Sequence, residues 1–224
     1  MNWLALLANI SIWIILLPFI IGLAGFKKLN YESRIIFFVV LAGLIPQVLR
    51  PFLNNSSTLT VLYNLYTPVD FTLYFLLFLS KMRSAFNRKF LYLSLFLFIA
   101  VSLILILKKG LEQNFLNELV IVNHVMQICW VCLCLMEYYK TDEAFIETRQ
   151  PFFWFLSGIT AYASCTIIFY SLWNIVKSDE KGPMQLLKLI HHFFNIMLYI
   201  FFSIGLMRNY RQKKSHKLFI KKTS

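Results

Sequence analysis

The feature that most constrains this chain is a recurrence of long apolar runs. Seven of them, at about 3–25, 34–52, 60–80, 90–107, 116–139, 152–176 and 185–207, are separated by short polar links. A helix needs roughly 20 apolar residues to cross a hydrocarbon core about 30 Å thick, and it satisfies its own backbone where no water can. Hydrophobic residues make up 59% of the 224 and charged residues 14%, against about a quarter charged in soluble domains. The expectation is an all-α integral membrane protein, with a seven-helix bundle over 1–207 and a basic tail over 208–224. Helices two and four are expected to be the shortest. Pro46, Gln47 and Arg50 are expected to break or tilt the second.

Charge then gives an orientation. With the N-terminus outside, Lys27, Lys28, Arg34, Lys81, Arg83, Arg88, Lys89, Lys140, Arg149 and the tail fall inside, leaving six of the 22 Lys and Arg outside. Basic loops stay cytoplasmic, so the expectation is N-out and C-in. Most of the +12 net charge is this bias, and nucleic acid is not an expected partner. The tail, from Arg208 to Ser224, has seven basic residues and no acid. Each basic residue near anionic headgroups contributes about 1 kcal/mol, so anionic lipid is its expected contact beyond the bilayer itself. Leu218, Phe219 and Ile220 add an apolar handle for an acidic cytoplasmic partner. Met1-Asn2-Trp3 has no basic residue, so the first run is expected to be retained as a helix. Asn54 and Asn55 each fit a glycosylation acceptor pattern in the first outer link.

Cys129, Cys132, Cys134 and Cys165 fall in apolar helices, where small packing residues are the expectation rather than a metal or redox site. No cofactor is implied. H-E-x-x-H and G-x-S-x-G motifs are both missing, so an enzyme is not expected.

Sliding the chain by 125 residues lays Asp70 on Asn195, Leu73 on Leu198, Tyr74 on Tyr199, Met82 on Met207 and Arg83 on Arg208. The same shift lays helix two on helix six. This is the pattern of a parallel 3 + 1 + 3 repeat with helix four as the linker. Such an arrangement resembles that of PQ-loop and small sugar transporters, and Pro46-Gln47 is similar to their motif, although no second Pro-Gln occurs. No functional residue is carried over from them. The segment Phe153-Trp154-Phe155-Leu156-Ser157-Gly158 resembles uncharacterised small seven-helix bacterial membrane proteins, which implies a bacterial cytoplasmic (inner) membrane and no particular activity.

Polar residues inside the spans carry the functional expectation. A carboxylate at membrane depth costs about 2.5–3.5 kcal/mol on insertion scales, so it faces the interior and has partners. Asp70 is the clear case, near the midplane of helix three, where Tyr63, Tyr66, Thr67 and Tyr74 recur at helical spacing with it. Pro68 frees the carbonyl of Asn64 beside them. Helix seven repeats the stripe with Lys188, His191, His192, Asn195 and Tyr199, and helix five adds Asn117, Glu118, Asn123, His124 and Gln127. The expected ligand site comprises Asp70, Thr67, Asn64, Tyr66, His124, Gln127, His192 and Asn195, with Arg50 at its mouth and no metal. Three functions fit such a layer. A receptor or sensory subunit would bind a small molecule from outside and act through a separate cytoplasmic partner. A small-solute transporter would use a midplane site coupled through Asp70. A structural or assembly subunit would use the same groups as interhelical hydrogen bonds.

Overall fold

A computed structural model describes residues 3–53, 55–140, 150–176 and 181–223, and the side chains of all of these except 174–176, 181 and 212–223. Asn54, Arg149 and Lys177, to which the sequence assigns outer or inner links, lie outside the described residues. The described residues form eight α-helices: α1 (Trp3–Trp13), α2 (Leu16–Gly25), α3 (Tyr31–Leu49), α4 (Ser56–Leu79), α5 (Ala85–Lys109), α6 (Asn117–Lys140), α7 (Pro151–Val176) and α8 (Lys181–Thr223). Seven spans are long and apolar enough to cross a membrane, with α1 and α2 together making the first, Trp3–Lys28. The chain is a multi-pass integral membrane protein by this architecture.

Two expectations are corrected. Helix four is not short: α5 extends over 25 residues, because Asn87, Arg88 and Lys89 at one end and Lys108 and Lys109 at the other stay helical beyond its apolar centre. The second span is not broken at Pro46. There α3 continues to Leu49 and then tightens into a 3-10 turn over Arg50–Phe52. The interruption falls instead in the first span, at residues 14 and 15 between α1 and α2, where Pro18 has no N–H to donate to the carbonyl of Ile14.

Neighbouring helices pack in a ring of α1/α2, α3, α4, α6, α7 and α8, which closes back on α1/α2. Helix α5 sits outside that ring against α4 and α6. Its seat is aromatic: Phe71 of α4 stacks on Phe98 of α5 with centroids 3.8 Å apart, and Trp130 of α6 meets Phe71 edge-on. The Trp130 indole N–H is buried yet satisfied, donating to Ser94 Oγ at 3.0 Å, as burial of a donor requires. Lipid inverts the usual amphipathic pattern. On α4, Asn64, Thr67, Asp70 and Tyr74 are buried, whereas Leu65, Val69 and Leu76 are exposed, since hydrocarbon accepts leucine and rejects amides.

The two ends of the bundle differ. At the end carrying Lys27, Lys28 and Lys81, polar ties draw the elements together: Lys81 pairs with Glu32 at 2.7 Å and lies over the Phe152 ring. Lys28 reaches Tyr210 Oη, and Asn209 Oδ1 accepts from the backbone of Asn30. Glu137 of α6 accepts from the backbone N–H groups of Arg83 and Ser84 and from Asn87 Nδ2. It thereby serves the exposed donors that begin α5, a capping role filled from another helix. Ties occur at the opposite end as well, where Asn64 holds the α5–α6 link and Lys109 pairs with Glu118, but a wide space also opens there.

Close approach of α7 and α8 depends on Gly205. A Cβ at that position would come within 2.3 Å of Phe155 Cε1, and Phe155 is fully buried. Small residues allow such approach between membrane helices. Gly205→Ala is expected to lower the unfolding free energy by about 1–3 kcal/mol through overpacking, read as an earlier thermal unfolding transition in detergent. An unchanged transition would mean that the α7–α8 contact is not closed at Gly205.

Candidate functional site

Asp70 is reached by going down α4 from Ser56, about 21 Å along the helix axis. Asp70 is 5% exposed, and its carboxyl is held by neutral donors. Tyr66 Oη, one turn earlier on the same helix, donates to Oδ1 at 3.2 Å. From α6, Asn123 Nδ2 donates to Oδ2 at 2.9 Å and Gln127 Nε2 to the same oxygen at 3.4 Å. Gln127 also donates to Asn123 Oδ1 at 2.9 Å, which fixes the amide that does most of the work. These i, i+4 pairs fall on one face of each helix. Among the described residues no ion pair reaches Asp70.

Above and beside this carboxyl lies a cavity of about 280 Å³, room for roughly nine water molecules at liquid density. Six tyrosines line it: Tyr63, Tyr66 and Tyr74 from α4, Tyr162 and Tyr170 from α7, and Tyr199 from α8. Gly43 on α3 faces two of them: a Cβ there would make ordinary contact with Tyr199 Oη at 3.4 Å and Tyr66 Oη at 3.5 Å, and a tighter one with Ile15 Cδ1 at 3.2 Å. Leu198 and Phe202 belong to the lining as well, and Phe202 meets Phe155 edge-on. Beyond them the buried Leu206 and Phe78 fill the interior towards the basic end. The cavity shares Arg50, Tyr63, Phe115, Tyr170, His191 and His192 with a wider space of about 1020 Å³ at the other end. That vestibule is its route outward.

Three histidines face this interior. His124 Nδ1 donates to Val120 O at 2.9 Å, which leaves Nε2 as its free nitrogen, and its ring tilts against Tyr162. His191 stacks on Phe169 at 4.5 Å. His192 Nδ1 lies 2.8 Å from Ser11 Oγ, and that hydroxyl lies 3.0 Å from Ala8 O. A hydroxyl has one hydrogen, so aiming it at the carbonyl makes His192 Nδ1 the donor. Two buried polar atoms in the cavity lining have no partner, Gln47 Oε1 and His191 Nδ1. Each such atom carries a desolvation penalty of about 1–3 kcal/mol, and both mark where a bound molecule would gain most. Among the described residues no three His, Cys, Asp or Glu side chains are grouped as metal ligands would be.

Of the residues singled out from sequence, Asp70, Thr67, Tyr66, His124, His192, Asn195 and Arg50 all line this cavity. Asn64 and Gln127 do not. The amide of Asn64 is spent on the link between α5 and α6, donating to Leu111 O and Asn114 O and accepting from Leu116 N. Gln127 stands behind Asp70 as its support. Asn195 lines the cavity but gives its amide hydrogen to Ser11 O at 2.9 Å, so it ties α8 to α1 and does not reach the carboxyl. Sequence reading passed over Ser11, Phe115, Tyr162 and Tyr170 as site residues. Helix α7 contributes through isolated aromatic rings in an apolar run, which gives no polar stripe to notice. Known protein families, curated proteins and solved structures all lack a match to this chain, so the site is interpreted from its geometry.

The Asp70–Asn123 contact makes a sharp prediction. Asn123→Ala leaves Oδ2 with only the long contact to Gln127, and a loss of about 1–3 kcal/mol in unfolding free energy is expected. In an Asp70→Asn background that loss should shrink by at least about 0.5 kcal/mol, the coupling expected of contacting groups. Additive effects in this double-mutant cycle would show that Asn123 does not serve the carboxyl.

Proposed function

We propose that this chain is a receptor or sensory membrane subunit that takes a small polar molecule into the Asp70 cavity from the vestibule and acts through a separate cytoplasmic partner. The observation that carries the reading is the one-sidedness of the cavity. Its polar lining continues into a wide vestibule at one end, while apolar side chains and a tied basic end lie at the other. Binding there would shift the population between bundle states of different affinity. Asp70, Tyr66, Thr67 and His124 would contact the ligand, His192 and Asn195 would hold α8 against α1 beside it, and Arg50 would stand at the mouth.

The orientation that goes with this reading is N-out and C-in. The positive-inside bias supports it, because Lys27, Lys28, Arg34, Lys81, Arg83, Arg88, Lys89 and Lys140 flank the tied end. That end would face the cytoplasm of a bacterial inner membrane, and the basic tail would meet anionic lipid headgroups or an acidic partner.

Transport is the second reading, and two observations favour it. Pro46 and Pro68 interrupt the hydrogen-bond ladders of two helices that line the cavity, α3 and α4, which eases bending. The parallel 3 + 1 + 3 repeat also gains support. Asp70 and its counterpart Asn195 line one cavity, as do Tyr74 and its counterpart Tyr199, and α5 lies outside the ring where a linker helix belongs.

Thiol labelling separates these readings. In a variant lacking the four native cysteines, single thiols at Thr67, Val120 and Leu198, all in the lining, would be exposed to membrane-impermeant reagents from either side. Labelling from the vestibule side alone is the expected result. Labelling from both sides would make transport the better reading, and protection from both would reduce the layer to interhelical bonding in an assembly subunit.

A further inference from the structure

The distribution of charge along the cavity and vestibule is uneven. The inner cavity has one fixed charge away from its mouth, the Asp70 carboxyl, whose partners are all neutral. An ionised carboxylate offers about four acceptor positions, and Tyr66, Asn123 and Gln127 take three. Tyr74, Tyr162 and Tyr199 line the same cavity as this carboxyl, and aromatic rings attract cations. The vestibule has the opposite sign. Lys109 is neutralised there by Glu118, but Arg50 makes no ion pair among the described residues and Lys188 lies over the Trp173 ring, 5.5 Å from its centroid. Arg50 lines both spaces, so its guanidinium stands at the junction.

From this axial separation of charge we infer that the cavity recognises a zwitterionic solute, with an ammonium group entering towards Asp70 and an acidic group held back at Arg50 and Lys188. The inference rests on reading the cavity as a ligand site. A purely anionic solute would meet Asp70 at the floor, a purely cationic one would have to pass the basic mouth, and a neutral one would leave both charges uncompensated. The helix register sets the span. Tyr63 lines both spaces and precedes Asp70 by two turns, about 10 Å along α4. An α-amino acid has both charges on one carbon and cannot reach both ends. The fitting class is an amine joined to a carboxylate or phosphate through a chain of several bonds.

The test uses the full-length protein, purified in a non-ionic detergent free of zwitterionic lipid, and calorimetric titration with four probes: 6-aminohexanoate, hexylamine, hexanoate and glucose. The expected result is that 6-aminohexanoate binds at least about tenfold more tightly than any of the others, the change that one charge-assisted hydrogen bond confers. Asp70→Asn should remove that advantage and weaken hexylamine, while hexanoate should bind as tightly as before or more tightly, since the negative floor is gone. Arg50→Gln should weaken 6-aminohexanoate and hexanoate and leave hexylamine at least as tightly bound. Arg50 is exposed and unpaired, so this variant decides the matter even if Asp70→Asn fails to fold. Equal binding of all four probes, tighter binding of glucose, or no binding while Thr67→Cys still labels from the vestibule side would each overturn the inference and leave the ligand-site reading standing. Loss of that labelling as well would overturn both.

Discussion

A carboxyl group held about 21 Å along a membrane helix must find its hydrogen bonds inside the protein, and much of the interior is arranged around that demand. Asp70 draws Tyr66 from its own helix and Asn123 and Gln127 from α6, so α4 and α6 are fixed in rotation as well as in distance. Lipid supplies no force that would choose this rotation, because hydrocarbon is as apolar as the leucines that face it. Hydrogen bonds do choose it. Once α6 is set, His124 faces the cavity from the same turn, and Trp130 two turns later reaches Ser94 to seat α5.

Tyrosine dominates the wall of the cavity for a related reason. A tyrosine ring packs against neighbouring apolar helices while its hydroxyl remains usable at the cavity surface. Six of them build a surface that is largely hydrocarbon in area yet can still hydrogen-bond. Histidine plays the same double part, as His191 does when it stacks on Phe169 with Nδ1 left unpartnered. Helices on several sides hold these groups, with α3 facing the hydroxyls of Tyr66 and Tyr199 at Gly43.

Much of this architecture was legible from the chain, and the parts that were not have physical causes. The spans are readable because the bilayer demands about 20 apolar residues in a row, a requirement that no tertiary contact relaxes. The stripe containing Thr67, Asp70 and Tyr74 is readable because a polar group in that setting must turn inward. Partner choice is a different matter. Asn64 and Asn123 are both buried asparagines, yet one is spent on a link and the other serves the carboxyl, a distinction that depends on how α4 and α6 are rotated. The break at residues 14 and 15 is marked only by Pro18, because both sides of it are equally apolar. Tyr162 and Tyr170 were invisible as cavity residues for the same reason, since an aromatic in an apolar run faces lipid or interior with similar ease.

Helix α8 spans 43 residues without interruption, roughly 64 Å of rod against a hydrocarbon core of about 30 Å. Its first half presents His191, His192, Asn195 and Tyr199 to the cavity, and from Asn195 to Thr223 it runs on for about 42 Å. That one rod is tied to α1 at His192 and Asn195, packed on α7 at Gly205, and tied to Lys28 and Asn30 at Tyr210 and Asn209, so the cavity wall and the basic end are parts of a single helix.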